Sequence, residues 1–296
     1  MTRCFVTTCL LLFTLPAFAS QPISLWEVRG SSNSIYLLGS VHLLRETDYP
    51  LPSRIEDAYQ EAESIYMEID MDDLDPIAMQ TLINELGVLD DGRTLKDLLG
   101  DERYAEAAAA AQAMNIPLDL LSKTEPWLAA ITIEQMVLAR LGFDPTLGVE
   151  MKFSAKAVAD GKPVEGFETV EEQISFLDGL SPEAQKDMLM QTLQEGINIE
   201  SMMDELIEAW HRGDSAFFEE TVLADMQDFP ELYDVILVDR NVRWVEQINE
   251  LLDDEDDYMI IVGALHLVGP DGVPALLEAQ GTPVIQLNQT ESSLAP

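Results

Sequence analysis

The chain has 296 residues, of which 55 are acidic and 16 basic, giving a formal net charge of −39, and 47% are hydrophobic. Such a surface lacks the basic footprint that nucleic acid requires, which argues against that partner, and the apolar share is enough for a core, which argues against disorder. Acidic runs such as DDEDD at 253–257 read as solvated faces.

In chain order, the first feature is a leader: Arg3, the apolar run CLLLFTLP, and AFA at 17–19 have the form of a secretory signal peptide cut after Ala19. Cleavage would take Cys4 and Cys9 with it, leaving no thiol for a disulfide, a thiolate metal site or a cysteine nucleophile. The leader is too short to span a bilayer, and no later stretch has the roughly 18 uninterrupted apolar residues needed. The mature protein is therefore expected to be exported, periplasmic or secreted, without stable membrane insertion.

SLWEVRG and SIYLLGS, joined by SSN, predict a β-hairpin. A loop with Pro50 and Pro52 follows, then a helix opened by Ser53 with Glu56 as a capping box. SIYMEID at 64–70 is the next strand. The pattern is helical from about 76 to 160, including an alanine-rich stretch and a helix running from Pro126 to Gly142. Gly161 ends a helix, KPVEGFE is a short strand, and Thr169 with Glu172 forms a second capping box before helices that run to about 252. YMIIVGAL is the most strand-like segment; Pro274 then starts a helix, Gly281 lies past its end, and TPVIQL is a final strand. With no Gly/Ser linker, residues 20–296 read as one α/β domain: a mixed central sheet with an N-terminal hairpin, flanking helices and a large helical subregion at about 76–160 and 170–252.

In open α/β sheets ligands bind outside the carboxyl ends of the strands. His42, Glu68, Glu168 and His266 each fall at the end of a different predicted strand. Two of the chain's three histidines sit in near-copies, GSVHLL and GALHLVG, with Gly39 and Gly263 three residues ahead of each, where a missing Cβ allows a sharp bend or a close approach. One G-x-x-H is more often a turn glycine beside a satisfied core histidine; two at matching strand ends make the two readings about equal. Two imidazoles and two carboxylates would serve equally to hold a divalent cation or to make a metal-free acid/base site.

The bland readings are a strand-edge carboxylate for Glu68 and a helix-dipole partner for Glu168. Arg240 falls on the apolar stripe Tyr233, Leu237, Trp244, Ile248, Leu251, so its guanidinium either needs an anionic partner inside or snorkels to solvent. His211 precedes Gly213 near a helix end, where the dipole favours it, and is left outside the site.

The segments LWEVRGSSNSIYLLGSVHLL, LPSRIEDAYQEAESIYMEID, PVEGFETVEEQ, DRN and IIVGALHLVGPDGV together resemble the TraB/GumN family, related to the Tiki metalloproteases, in the family's order and over nearly the whole mature chain. The resemblance implies a fold similar to the erythromycin esterase and ChaN-like haem-binding groups and a metal-dependent hydrolase, a peptidase, acting on a peptide or small molecule. It implies a site of Gly39, His42, Glu68, Glu168, Arg240, Gly263 and His266. In it His42, His266 and Glu68 or Glu168 hold Mn²⁺, Co²⁺ or Zn²⁺, with Gly39 and Gly263 beside the ion. The glutamate outside the ligand set takes a proton from water, and Arg240 steadies negative charge. GVEMKFSAKA at 148–157 matches only loosely, so Glu150 is not assigned. The alternatives are a metal-free, histidine-based, esterase-like hydrolase and a non-enzymatic haem- or metal-binding periplasmic protein.

Overall fold

Strands β1 (Pro22–Arg29) and β2 (Ser34–Ser40) form the expected hairpin, in antiparallel register from Leu25 opposite Leu38 to Arg29 opposite Ser34. The computed structural model describes residues 21–71 and 75–289, so the leader expected at 1–19 lies outside the described residues. The remaining strands are β3 (Ser64–Ile69), β4 (Val164–Glu168), β5 (Tyr258–Gly263) and β6 (Val284–Asn288), and the sheet order is β4-β3-β5-β2-β1-β6. From β4 to β2 every pairing is parallel, whereas β1 runs antiparallel to both β2 and β6. The sheet is thus mixed. Every residue of β5 is buried, which explains why its sequence is a continuous apolar run rather than an alternating one.

Two tryptophans pin helices against this sheet. Trp244, on the helix Asp239–Leu252, stacks on Phe167 of β4 with ring centroids 5.5 Å apart. Trp210, on the helix Ile199–His211, donates from Nε1 to the Gly39 carbonyl of β2 at 2.6 Å, and the Ser24 hydroxyl of β1 donates to the Trp210 carbonyl. A second apolar cluster lies away from the sheet, where Leu95, Leu99, Ala107, Ala111, Ile133, Leu189 and Leu193 interlock among the helices Leu95–Ala113, Pro126–Arg140 and Pro182–Glu195. On the first of these the residues facing the cluster include the small side chains Ala107 and Ala111, both fully buried. No helix among the described residues is long and apolar enough to cross a membrane.

Thr169 and Glu172 form the expected reciprocal box at the start of the helix Val170–Asp178, and Gly161 ends the helix Val149–Asp160 in a left-handed conformation with φ 71°. The expected box at Ser53 is absent. Pro52 occupies the N-cap of the helix Ser53–Glu61 and no side chain bonds its free amides, because Ser53 is already inside the first turn, where its hydroxyl no longer faces the third amide. The last strand-like segment also ends sooner than its apolar run suggests: β5 stops at Gly263, and Ala264–Leu267 is a single 3-10 turn.

Candidate functional site

Gly39 pairs with Val262 and Ser40 with Gly263, so the two G-x-x-H segments leave adjacent parallel strands side by side. His42 follows β2 directly, and His266 sits on the 3-10 turn after β5. One strand further along lies Glu68 on β3, and beyond it Glu168 ends β4, level with Ile69. Parallel pairing thereby brings four residues far apart in the chain to one edge of the sheet, as expected for this architecture.

Gly263 is where they meet. Its amide donates to Glu68 Oε1 at 2.8 Å, and a Cβ there would lie 3.3 Å from Glu68 Oε1, 3.5 Å from His266 Cδ2 and 3.6 Å from His42 Nε2. A Cβ would be in ordinary contact with the two rings and a few tenths of an ångström too close to the Glu68 oxygen, so a side chain here crowds the space the three groups share. Gly39 does different work: its missing Cβ admits the Ala264 backbone, whose Cα would be 3.2 Å away.

Each histidine is fastened at Nδ1. His266 is buried, with Nδ1 2.6 Å from Asn241 Oδ1. Asn241 Nδ2 donates to the Asp271 carbonyl at 2.8 Å, which leaves Oδ1 as an acceptor and puts the ring proton on Nδ1. His266 Nε2 therefore presents a lone pair, 3.2 Å from Arg240 Nη1 and 3.9 Å from Glu68 Oε1. His42 Nδ1 lies 2.7 Å from Glu150 Oε1, which also accepts the Ser40 hydroxyl, and the His42 side chain is 60% exposed. Glu150 reaches it because Gly148 packs on the His42 carbonyl and the Val149 amide donates to the Val41 carbonyl at 3.2 Å.

Arg240 does not snorkel. It is buried between two carboxylates, with Nη2 2.6 Å from Glu68 Oε2 and 2.9 Å from Glu168 Oε2, Nε on Glu168, and Nη1 donating to the Ile236 carbonyl at 3.1 Å. Ile236 belongs to a π-helical turn, Asp234–Val238, just ahead of Arg240; such wide turns recur at functional sites. Glu168 also accepts from Arg243 Nη2 at 2.9 Å and Trp244 Nε1 at 3.1 Å. Gln173 donates to both Glu68 and Glu168.

This arrangement moves the ionisations in opposite directions. Burial pushes the Glu68 carboxyl up, but His266, Arg240 and His42 pull it well below the ordinary carboxylate range. Burial lowers His266 to about 3, so near neutrality it is uncharged and Arg240 is the cation that holds Glu68 ionised. Glu150 raises His42, and His42 with Ser40 outweighs burial to lower Glu150. An unfolded chain protonates His266 near its ordinary 6.5, so between about 6.5 and 3 the unfolded state binds more protons and stability falls as pH drops. Glu68 and Glu150 add the same sign below about 4.5. His42 has the opposite sign, because its native ring keeps a proton above 6.5, so that contribution is lost as pH rises. In chelator-treated protein the urea midpoint is thus expected to peak near pH 6.5, and His266→Gln to flatten the acid limb by up to about 1.4 kcal/mol per pH unit. A wild-type midpoint that climbs steadily from pH 5 to 9 would contradict this.

The structure gathers His42, Glu68, Glu168, Arg240, Gly263 and His266 and puts Gly39 one layer behind them. His211 stands apart, its ring against Trp210. Sequence reasoning did not assign Glu150, Asn241, Ser40 and Gln173. Among the described residues no group of three or more His, Cys, Asp and Glu side chains is set to hold a metal ion; at this edge the Arg240 guanidinium stands on the His266 lone pair.

An uncharacterized protein, YbaP, of Escherichia coli strain K12 is 25% identical over 243 residues, covering 82% of this chain and 87% of that protein, and YbaP of Shigella flexneri matches equally. An uncharacterized protein of Treponema pallidum is 21% identical over 164 residues, covering 55% of this chain and 49% of its own length. No solved structure matches significantly. The sequence pattern of the TraB/PrgY/gumN family matches residues 24–286, from β1 into β6 and across every residue of the site, and the chain belongs to that family.

Proposed function

We propose that the protein is a metal-dependent hydrolase of peptide bonds, with His42 Nε2, His266 Nε2 and a Glu68 oxygen as the ligands of a divalent cation. One observation carries the reading: both histidines are tied at Nδ1, to Glu150 and Asn241, so that Nε2 is the nitrogen each can offer an ion, on His42 close to Gly263 and on His266 3.9 Å from Glu68 Oε1 with Arg240 now upon it. Ligating histidines have their second nitrogen fixed in this way, by a carboxylate or an amide or backbone oxygen. Two imidazoles and a carboxylate suit Mn²⁺, Co²⁺ or Zn²⁺. Loading has to break the Arg240 contact with His266, because guanidinium and ion compete for one lone pair.

A bound ion supplies Lewis acidity, which acidifies water and polarises a carbonyl. The chain's own groups do the rest. Glu150 and Asn241 fix the imidazole rings. Arg240 offers donors to negative charge developing on the substrate. Glu168 positions Arg240, its two oxygens already accepting from Arg240, Arg243 and Trp244.

Glu150→Gln and Asn241→Ala are each expected to weaken Mn²⁺, Co²⁺ or Zn²⁺ binding 10- to 100-fold in calorimetric titration, at unchanged stoichiometry. Unchanged affinity in both would remove the support. The Arg240 contact with His266 favours a second reading, a metal-free hydrolase with exposed His42 as its base. Glu150 favours the protonated His42 ring, and that proton has to leave before Nε2 either acts as a base or ligates an ion, so it weighs on both readings alike. Turnover that survives chelation would select this second reading. The proposal also places the protein outside the cytoplasm, on the leader at 1–19; intact mass of the mature chain is expected to start at Ser20, and a retained leader would refute export.

A further inference from the structure

Beside the site lies a cavity of about 320 Å³ that His42, Glu68, Arg240, Gly263 and His266 border on one side. Its other walls are mostly apolar, from Leu43, Leu138, Met203, Phe218, Met226 and Leu237. The methionines and leucines give a flexible, adaptable surface. One wall residue has a different chemistry. Glu134, on the helix Pro126–Arg140, lines the same cavity, and among the described residues its carboxylate has no hydrogen-bond or ion-pair partner.

The contrast with the other site carboxylates is chemical. Glu68 and Glu168 are satisfied by Arg240 and Glu150 by His42, so the cavity's basic groups are already engaged with other carboxylates. A lone carboxylate on an apolar wall leaves the cavity complementary to an apolar group that carries a positive charge. The charge of −39 on the whole chain draws cations in the same sense. Surrounding protein atoms and Glu195 push the Glu134 carboxyl upward, and His42 pulls it back, so its unpaired state has a cost that a bound cation would relieve.

We propose that this cavity is the substrate pocket for an apolar group bearing a primary ammonium, with Glu134 as the counter-ion. The ammonium is either the free amino terminus of a peptide or a lysine side chain. The inference deepens the peptide-hydrolase reading by naming what the substrate presents next to the reacting bond.

The test is binding, by titration calorimetry on the full chain with chelator present, so that it does not depend on metal or turnover. L-leucinamide is compared with N-acetyl-L-leucinamide, and N-acetyl-L-lysinamide with N-acetyl-L-norleucinamide. The ammonium member of at least one pair is expected to bind roughly tenfold tighter than its neutral partner, the factor for one charged hydrogen bond. Which pair responds tells amino terminus from lysine. Glu134→Gln should abolish the preference, and Glu134→Lys, at an exposed position where folding is not at risk, should reverse it. Equal affinity within both pairs, no binding by any probe, or a preference that survives in Glu134→Gln would overturn the proposal. Metal analysis of separate, chelator-free samples equilibrated with Mn²⁺, Co²⁺ and Zn²⁺ reports on the hydrolase reading: no metal there with an intact ammonium preference sinks that reading and leaves the pocket standing.

Discussion

Arg240→Met is expected to lower the free energy of unfolding by about 3–5 kcal/mol, the cost of removing one partner from a buried ionic cluster. Methionine nearly preserves the volume, so the loss is electrostatic. Without the guanidinium, Glu68 and Glu168 face each other across one space, both buried, with the remaining donors Gln173, Trp244, Arg243 and the Gly263 amide unable to supply an equivalent charge between them. Like charges in that setting repel, and one carboxyl is driven to take a proton. The double variant Arg240→Met/Glu168→Gln is therefore expected to recover part of the loss, because it removes one of the two charges. Urea unfolding at pH 7 checks both. A single-variant loss below about 1 kcal/mol, the size of an exposed pair, would show that Arg240 is not the keystone the geometry makes it.

The second large effect separates the two histidines. His42→Ala is expected to abolish peptide hydrolysis, a fall of a thousandfold or more if the ion is lost with its ligand, while costing only about 1–2 kcal/mol of stability, because the side chain is 60% exposed and the buried Glu150 it leaves keeps the Ser40 hydroxyl. His266→Ala is expected to be equally inactive but less stable by about 2–4 kcal/mol. It leaves a void beside Trp244, whose ring centroid is 4.4 Å from that of His266, and strips Asn241 Oδ1 of its partner. Activity assays on the metal-loaded protein paired with thermal melts read the difference. Two variants that lose stability alike would place His42 in the core, against its exposure here.

Much of this was legible in the sequence because the informative residues break local patterns. Strand β5 reads as an apolar run because it is buried on both faces, and the two G-x-x-H segments stand out because they end adjacent parallel strands. Arg240 was visible as a charge on an apolar helical stripe. Asn241 gave a similar signal: it lies four residues from both Leu237 and Val245 on the buried face and is 1% exposed. Glu150 was also readable in principle, since with Phe153, Ser154 and Ala157 it falls on the buried face of its helix. Near a helix start, however, an acidic residue is ordinarily explained by the dipole. The Ser53 box failed because the S-x-x-E spacing does not reveal which residue begins the helix, and Pro52 took the cap. The grip of Arg240 on His266 Nε2 could not be read at all; it depends on how far the π-turn carries the guanidinium across the sheet edge.

The most direct test of the central claim is elemental analysis of the purified protein beside a His42→Ala/His266→Ala double variant, after both are equilibrated with a mixture of Mn²⁺, Co²⁺ and Zn²⁺ and freed of loose ions. Close to one bound ion per chain is expected in the wild type and none in a folded double variant. No retained metal in either protein, or equal retention in both, would contradict it.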